Sequence, residues 1–252
     1  MTDSLDGTTA FVTGASAGIG RASAHALARE GADVALAARS EDELEAIAES
    51  IRTEYDVTAL VAPTDVRDEA AVEGAIEATV DELGGLDLLL NNAGLARGTS
   101  VEEMSTEQYR TMMETNVDGM FFTTRAALPH LRESAGTLVF IGSFAGQYPR
   151  PFNPIYAASK WWTRGFAKSV SAEVGSDDVA VTVINPSEVR TEFGAVYGET
   201  FAERFDEGEV TEPEEIAEAV VFAAEQGPSM ASEIDLYRRD KFELFGKFGD
   251  ES

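Results

Sequence analysis

The sequence predicts an α/β fold: a doubly wound parallel sheet of about seven strands with helices on both faces. Three observations carry this. Short apolar, β-rich runs alternate with segments of helical period over the first 190 of 252 residues. A glycine-rich turn joins the first run to the first helix. No long linker, internal repeat or low-complexity segment interrupts the series, so 1–252 reads as a single domain. The predicted strands are Thr8–Thr13, Asp33–Ala37, Thr58–Ala62, Leu86–Leu90, Thr137–Ile141 and Ala180–Ile184. Helical period fills Gly18–Glu30, Glu41–Tyr55, Glu69–Leu83, Thr106–Leu131 and Tyr156–Val174 between and after them. A helix over Pro213–Glu225 and a seventh strand over Glu233–Tyr237 complete the pattern. Proline suits the first turn of that helix, with Thr211 its expected N-cap. The stretch 187–210 lacks a buried period. It would lie at the carboxyl end of the sixth strand, where such sheets bind ligands, and is expected to form a substrate lid.

Composition excludes several chemistries. At 44% hydrophobic, the chain can bury a core. It has no cysteine, which rules out disulfides, thiolate metal sites and thiol nucleophiles. Only His25 and His130 are present, so no metal site is expected. No apolar run is long enough to cross a membrane, and Met1–Asp6 carries two acids and no base, unlike a signal peptide. A cytoplasmic location is the expectation. Against 46 acids stand 19 bases, four lysines and 15 arginines, for a net charge of −27. Such a surface repels nucleic acid and anionic lipid, so neither is an expected partner. The acids crowd 41–56 and 199–218. This is either an ordinary solvated face or an adaptation to molar salt, where screening removes self-repulsion. Scarce lysine favours the second, and the composition resembles that of haloarchaeal cytoplasmic proteins.

The turn after the first strand reads Thr13-Gly14-Ala15-Ser16-Ala17-Gly18-Ile19-Gly20. Glycines 14, 18 and 20 allow a tight turn and close approach to a pyrophosphate, and the helix beyond offers free N–H groups. The spacing lacks the Gly-Lys-Ser/Thr of a nucleoside-triphosphate loop. The second strand ends in Ala37-Ala38-Arg39-Ser40, with no acid to accept from a ribose 2′-hydroxyl. Arg39 and Ser40 suit a 2′-phosphate, which favours NADP(H) over NAD(H). Equally, Arg39 reads as a surface base and Ser40 as the cap of the next helix; the two readings are compatible.

Tyr156 and Lys160 lie four apart in helical sequence, on one face. Ser143 follows the fifth strand, Asn91-Asn92-Ala93-Gly94 ends the fourth, Asp65-Val66 follows the third, and Asn116 lies in a helical segment. Each sits at a strand end or on a neighbouring helix, as the active edge of a parallel sheet requires.

Together and in this order, these motifs resemble the short-chain dehydrogenase/reductase family from Thr8 to about Thr191. The resemblance implies a Rossmann-like fold with seven parallel strands, a nicotinamide cofactor and a catalytic set of Ser143, Tyr156 and Lys160, with Asn116 as a fourth member. It implies that Asp65 with Val66 meets the adenine, that Asn92, Ala93 and Gly94 border the cofactor, and that Pro186, Val189 and Thr191 lie near its nicotinamide. Tyr156 would act as acid for ketone reduction and base for alcohol oxidation. A free phenol titrates near 10, and a nearby ammonium favours the phenolate. Lys160 would also bond the ribose, Ser143 donate to the substrate oxygen, and Asn116 hold a water beside Lys160. One departure is Asn185-Pro186-Ser187, where the family usually has Pro-Gly.

Within the family the motifs look most like the NADP-dependent 3-hydroxy acid (serine-type) dehydrogenases. A 3-oxoacyl carrier-protein reductase is the alternative, weakened because Ile234-Asp235-Leu236-Tyr237 stands where such chains end in Asp-Gly-Gly. A non-catalytic cofactor-sensing or scaffold protein is a third reading, weakened because all four catalytic positions are filled. The partner expected is a small carbonyl or alcohol. Leu95, Phe144, Tyr148, Phe193 and Tyr197 are the expected pocket wall. Arg150 or Arg190 either meets a substrate carboxylate or is a surface base. Trp161 and Trp162 read as core or interface aromatics, and the apolar helices 106–131 and 156–174 imply a homodimer or homotetramer.

Overall fold

The computed structural model describes residues 4–98, 100–193 and 198–242. Strands β1 (Thr9–Thr13), β2 (Asp33–Ala38), β3 (Ala59–Pro63), β4 (Leu88–Asn91), β5 (Thr137–Ile141), β6 (Ala180–Pro186) and β7 (Glu233–Leu236) form one sheet. Their order is β3-β2-β1-β4-β5-β6-β7, and every pairing is parallel. Helices α1 (Gly18–Arg29), α2 (Glu41–Glu54), α3 (Glu69–Leu83), α4 (Thr106–Met113), α5 (Gly119–Ser134), α6 (Pro154–Val174), α7 (Phe201–Arg204) and α8 (Pro213–Ala224) cover it.

The two-residue repeat of each strand splits the core. Val12, Val34, Leu36 and Leu90 face one side and pack with Leu27 of α1, Leu44 of α2 and Val220 of α8. Phe11, Ala35, Leu89, Leu138, Phe140 and Val183 face the other, against Ile76 of α3, Leu131 of α5 and Val170 of α6. Chain order reverses between β1 and β4, which opens a crevice beyond their carboxyl ends.

Two local expectations are corrected. Thr106–Leu131 is not one helix: a π-turn over Glu114–Asp118 separates α4 from α5. Gly119 there lies so close to Val66 that a Cβ would stand 2.7 Å from its Cγ2. Thr211 does not cap α8. Glu212 occupies that position, and the Glu215 carboxylate accepts from its N–H at 2.8 Å. Thr211 instead pairs through its backbone with Glu188 and Arg190. The stretch 187–210 contains a short helix, α7, capped by Thr200. Among the described residues, no helix is long and apolar enough to cross a membrane.

Candidate active site

A cleft of about 520 Å³ opens at the crevice. Its floor begins at the glycine turn. Gly14 and Gly18 adopt left-handed φ values of +65° and +51°, which a side chain would strain. Thr13 Oγ1 donates to Leu90 O and accepts from the Asn92 and Ala93 N–H groups at 2.9 and 3.0 Å. The Asn92 side-chain amide donates to Thr13 O and Gly14 O. The ends of β1 and β4 are thereby locked, and Gly18 and Ile19 at the start of α1 line the cleft. Gly20 is not in the cleft wall. A Cβ there would lie 2.2 Å from Gly14 O, so its bareness lets α1 pass under the turn.

At the β2–β3 edge, Arg39, Ser40, Asp65, Val66 and Arg67 line the cleft. Ser40 sits at the start of α2, but its hydroxyl makes no cap bond. Arg39 is exposed and makes no ion pair among the described residues. Arg67, which sequence reasoning missed, donates to both Asp65 oxygens at 2.5 to 3.1 Å and holds that carboxyl below the usual range.

At the opposite end stand Ser143, Tyr156 and Lys160, all nearly buried. Asn153 caps α6, accepting from Tyr156 N at 3.1 Å. Its amide reaches across to Arg97 O and Gly98 O, which ties the start of α6 to the loop after β4. The Lys160 ammonium donates to Ile141 O at 2.8 Å and lies 6.0 Å from the Tyr156 ring centre. Burial pushes its pKa down to about 8, because the charged form loses its water. The Ser143 hydroxyl accepts from Ala145 N. Its own N–H donates to the Asn185 side chain, which in turn donates to Asp235. Asn185 was legible only as part of the Asn-Pro-Ser departure. A Cβ on Gly142 would lie 2.2 Å from its Oδ1, so the glycine makes room for this amide.

Asn116 stands behind the cleft rather than in its wall. Its amide accepts from Leu95 N at 2.9 Å and donates to Leu95 O and Ser159 Oγ. Ser159 Oγ donates to Tyr156 O. Asn116 therefore clamps the 94–96 segment against α6. Gly94, Pro186, Ser187, Val189 and Thr191 complete the wall, with Ser16 and Ile19 at the turn.

The expected apolar wall is partly revised. Leu95 and Phe193 line the cleft, joined by Ala96 and Phe201. Phe144 and Tyr148 do not. They stack on each other at 4.2 Å and pack against Tyr237 and Phe242, which draws both rings away. Tyr197 lies outside the described residues. Arg190 is bound to Glu212 at 2.9 and 3.0 Å and does not reach the cleft, whereas Arg150 lines it. Trp162 stacks on Phe166, and Trp161 is half exposed on α6.

The residues present fit a dinucleotide. Left-handed glycines bare the backbone at one end, and the buried Ser187 hydroxyl in the wall lacks a hydrogen-bond partner.

Residues 8–200 match a protein family described as short chain dehydrogenase. The chain is 32% identical over 232 residues to trans-4-hydroxycyclohexanecarboxylate dehydrogenase of Sinomonas cyclohexanicum, covering 90% of this chain and 89% of that protein. It is similar to the solved alcohol dehydrogenase from Thermococcus sibiricus complexed with 5-hydroxy-NADP. The TM-score is 0.85 and the identity 32%, over 91% of this chain and 96% of that one. It is also similar to the 3-ketoacyl-(acyl-carrier-protein) reductase from Brucella melitensis complexed with NADH. Here the TM-score is 0.83 and the identity 27%, over 92% and 98%.

Proposed function

Since the chain belongs to the short chain dehydrogenase family, we propose that it interconverts a secondary alcohol and a ketone with NADP(H), using Tyr156 as acid and base. One observation carries this: a single cleft holds the glycine turn and Arg39 at one end and Ser143, Tyr156 and Lys160 at the other. The nicotinamide, when bound, supplies the hydride chemistry. The chain's residues do the rest. Ser143 donates to the substrate oxygen. The Tyr156 hydroxyl gives that oxygen its proton in reduction and takes it in oxidation. The Lys160 ammonium, held by Ile141 O, favours the phenolate and is placed for the ribose hydroxyls. Asn116 positions Leu95 and, through Ser159, the first turn of α6.

The absence of an acid at the end of β2 and the unpaired Arg39 favour NADP(H). Both NADP-type and NAD-type cofactors occur in the solved relatives, so this choice rests on the chain's own residues. The substrate class favoured is a hydroxy acid, for which the carboxylate named in the Sinomonas relative's substrate is independent support. A lid role for the described parts of 187–210 is supported by the bonds from Phe201 N to Phe193 O and from Ala202 N to Thr191 O, which hold α7 beside residues of the cleft wall. Residues 194–197 of that stretch lie outside the described ones. Phe121 and Trp161, large and exposed on α5 and α6, favour pairing of these helices with a second copy.

Purified protein given NADPH with ketones, or NADP⁺ with 3-hydroxy acids, should change the reduced-nicotinamide absorbance. No change with any cofactor would favour a non-catalytic scaffold. The acidic surface is proposed to suit high salt. Activity and thermal midpoint should then rise together from about 0.01 M to about 1 M KCl, where the screening length shrinks from about 30 to about 3 Å. Equal behaviour at both would contradict it.

A further inference from the structure

We propose that Arg150 selects the substrate by gripping a carboxylate a few carbons from the reacting carbon; this rests on the oxidoreductase reading of the same cleft. The Arg150 guanidinium carbon lies 5.0 Å from the centre of the Tyr156 ring and 4.5 Å from that of Phe152. It lines the cleft. Its Nε is buried from solvent yet has no hydrogen-bond partner, and it forms no ion pair among the described residues. A buried guanidinium N–H left unmade is costly, and a ligand that accepts from it removes that cost.

This is not for want of carboxylates. Acids exceed bases by 27 in the chain, and among the described residues ion pairs occupy eight of the 15 arginines. The acid whose charge Arg150 does influence, Glu188, is already held by the Lys241 ammonium at 2.6 and 2.8 Å. Arg150 therefore keeps its planar fork for something else, and a carboxylate matches that fork with two parallel bonds. Leu95, Phe193 and Phe201 leave an apolar surface for the intervening carbons.

Reach sets the class. The guanidinium stands over the ring whose hydroxyl handles the proton, so anion grip and proton transfer fall within one small molecule. A short hydroxy or oxo acid meets both. A neutral alcohol or a carrier-bound thioester leaves Arg150 unpaired.

The test compares 3-hydroxybutanoate with its methyl ester, using saturating NADP⁺ and the wild type, Arg150→Met and Arg150→Lys. Wild-type kcat/KM should favour the acid by about tenfold or more, as expected for a charge-assisted pair. Arg150→Met should abolish that preference through a raised KM for the acid, and Arg150→Lys should restore part of it. A wild type indifferent to the charge overturns the proposal. So does an Arg150→Met variant that loses activity on acid and ester alike, because Arg150 then only packs against Tyr156 or tunes its phenol. Calorimetric titration with butanoate separates the two layers. Butanoate binding that depends on Arg150, in a protein that oxidises neither compound, would overturn the oxidoreductase reading and leave the anion site. Neither turnover nor Arg150-dependent binding would overturn both.

Discussion

At the end of the cleft beside β1, the wall is mostly backbone. Gly14 and Gly18 bare it, and Thr13 and Asn92 lock it with bonds between neighbouring strand ends. At the end beside Tyr156, the wall is side chains brought from separate loops: Ser143 after β5, Arg150 before α6, Ser187 after β6 and Phe201 on α7. The first end combines the contiguous glycine turn with the end of β4, 79 residues away in sequence, and bares backbone that any dinucleotide can use. The second gathers side chains from four separate segments, where a substrate would be told apart. Binding and selection are thus built from different materials, and changes at the two ends should have separable effects.

The largest effect is expected at the reactive end. Tyr156→Phe removes the proposed proton donor and should lower kcat by about 10²–10⁴-fold, while the dissociation constant for NADPH, followed by fluorescence titration, stays within about twofold of wild type. A variant turning over near the wild-type rate would break the comparison at its catalytic side. Next comes the edge that distinguishes cofactors. Arg39→Asp would replace the proposed phosphate contact with repulsion and should shift the NADP⁺-to-NAD⁺ ratio of kcat/KM by about 10- to 100-fold toward NAD⁺. An unchanged ratio would move the discrimination elsewhere, with Arg67 the neighbouring cation.

Smaller effects sharpen the structural side. Gly20→Ala forces a methyl toward Gly14 O and should destabilise the fold by about 1–3 kcal/mol in urea unfolding. Gly74→Ala, on an open face of α3, should stabilise it by about 0.5–1 kcal/mol. Two variants of equal effect would show that crowding at Gly20 is absent. A further signal is in pH. Lys160 titrates at about 8 in the folded protein against an ordinary 10.5. Between those values the unfolded chain binds more protons, so this lysine makes stability rise with pH across about 8 to 10.5. The difference in thermal midpoint between wild type and Lys160→Met should therefore shift in favour of wild type as pH climbs through that window. A flat difference would mean that Lys160 is not desolvated.

How much the sequence disclosed follows the same division. The glycine turn, Asn92, Ser143, Tyr156 and Lys160 sit in contiguous motifs at strand ends, and all except Gly20 and Asn116 of the named set meet in one cleft. The strands and helices of the sheet were legible because buried runs and helical periods are local. The π-turn was not, because one widened turn barely disturbs the 3.6-residue period that Thr106–Leu131 displays. Phe144 and Tyr148 were misplaced because their direction is set by Tyr237 and Phe242, about 90 residues away. Asn153, Asn185 and Arg67 carry no motif of their own. Their partners define what they do: Arg97 O and Ser143 N come from distant segments, and Asp65 lies two residues before Arg67 on the loop after β3.

The most direct test of the central claim, an NADP(H)-dependent oxidoreductase whose cofactor lies along this cleft, is calorimetric titration of the wild-type protein with NADPH and with NADH. The account predicts saturable binding of NADPH with a dissociation constant at least about tenfold lower than that of NADH, the margin a charge-assisted phosphate contact supplies. Equal affinity, or tighter binding of NADH, would contradict it.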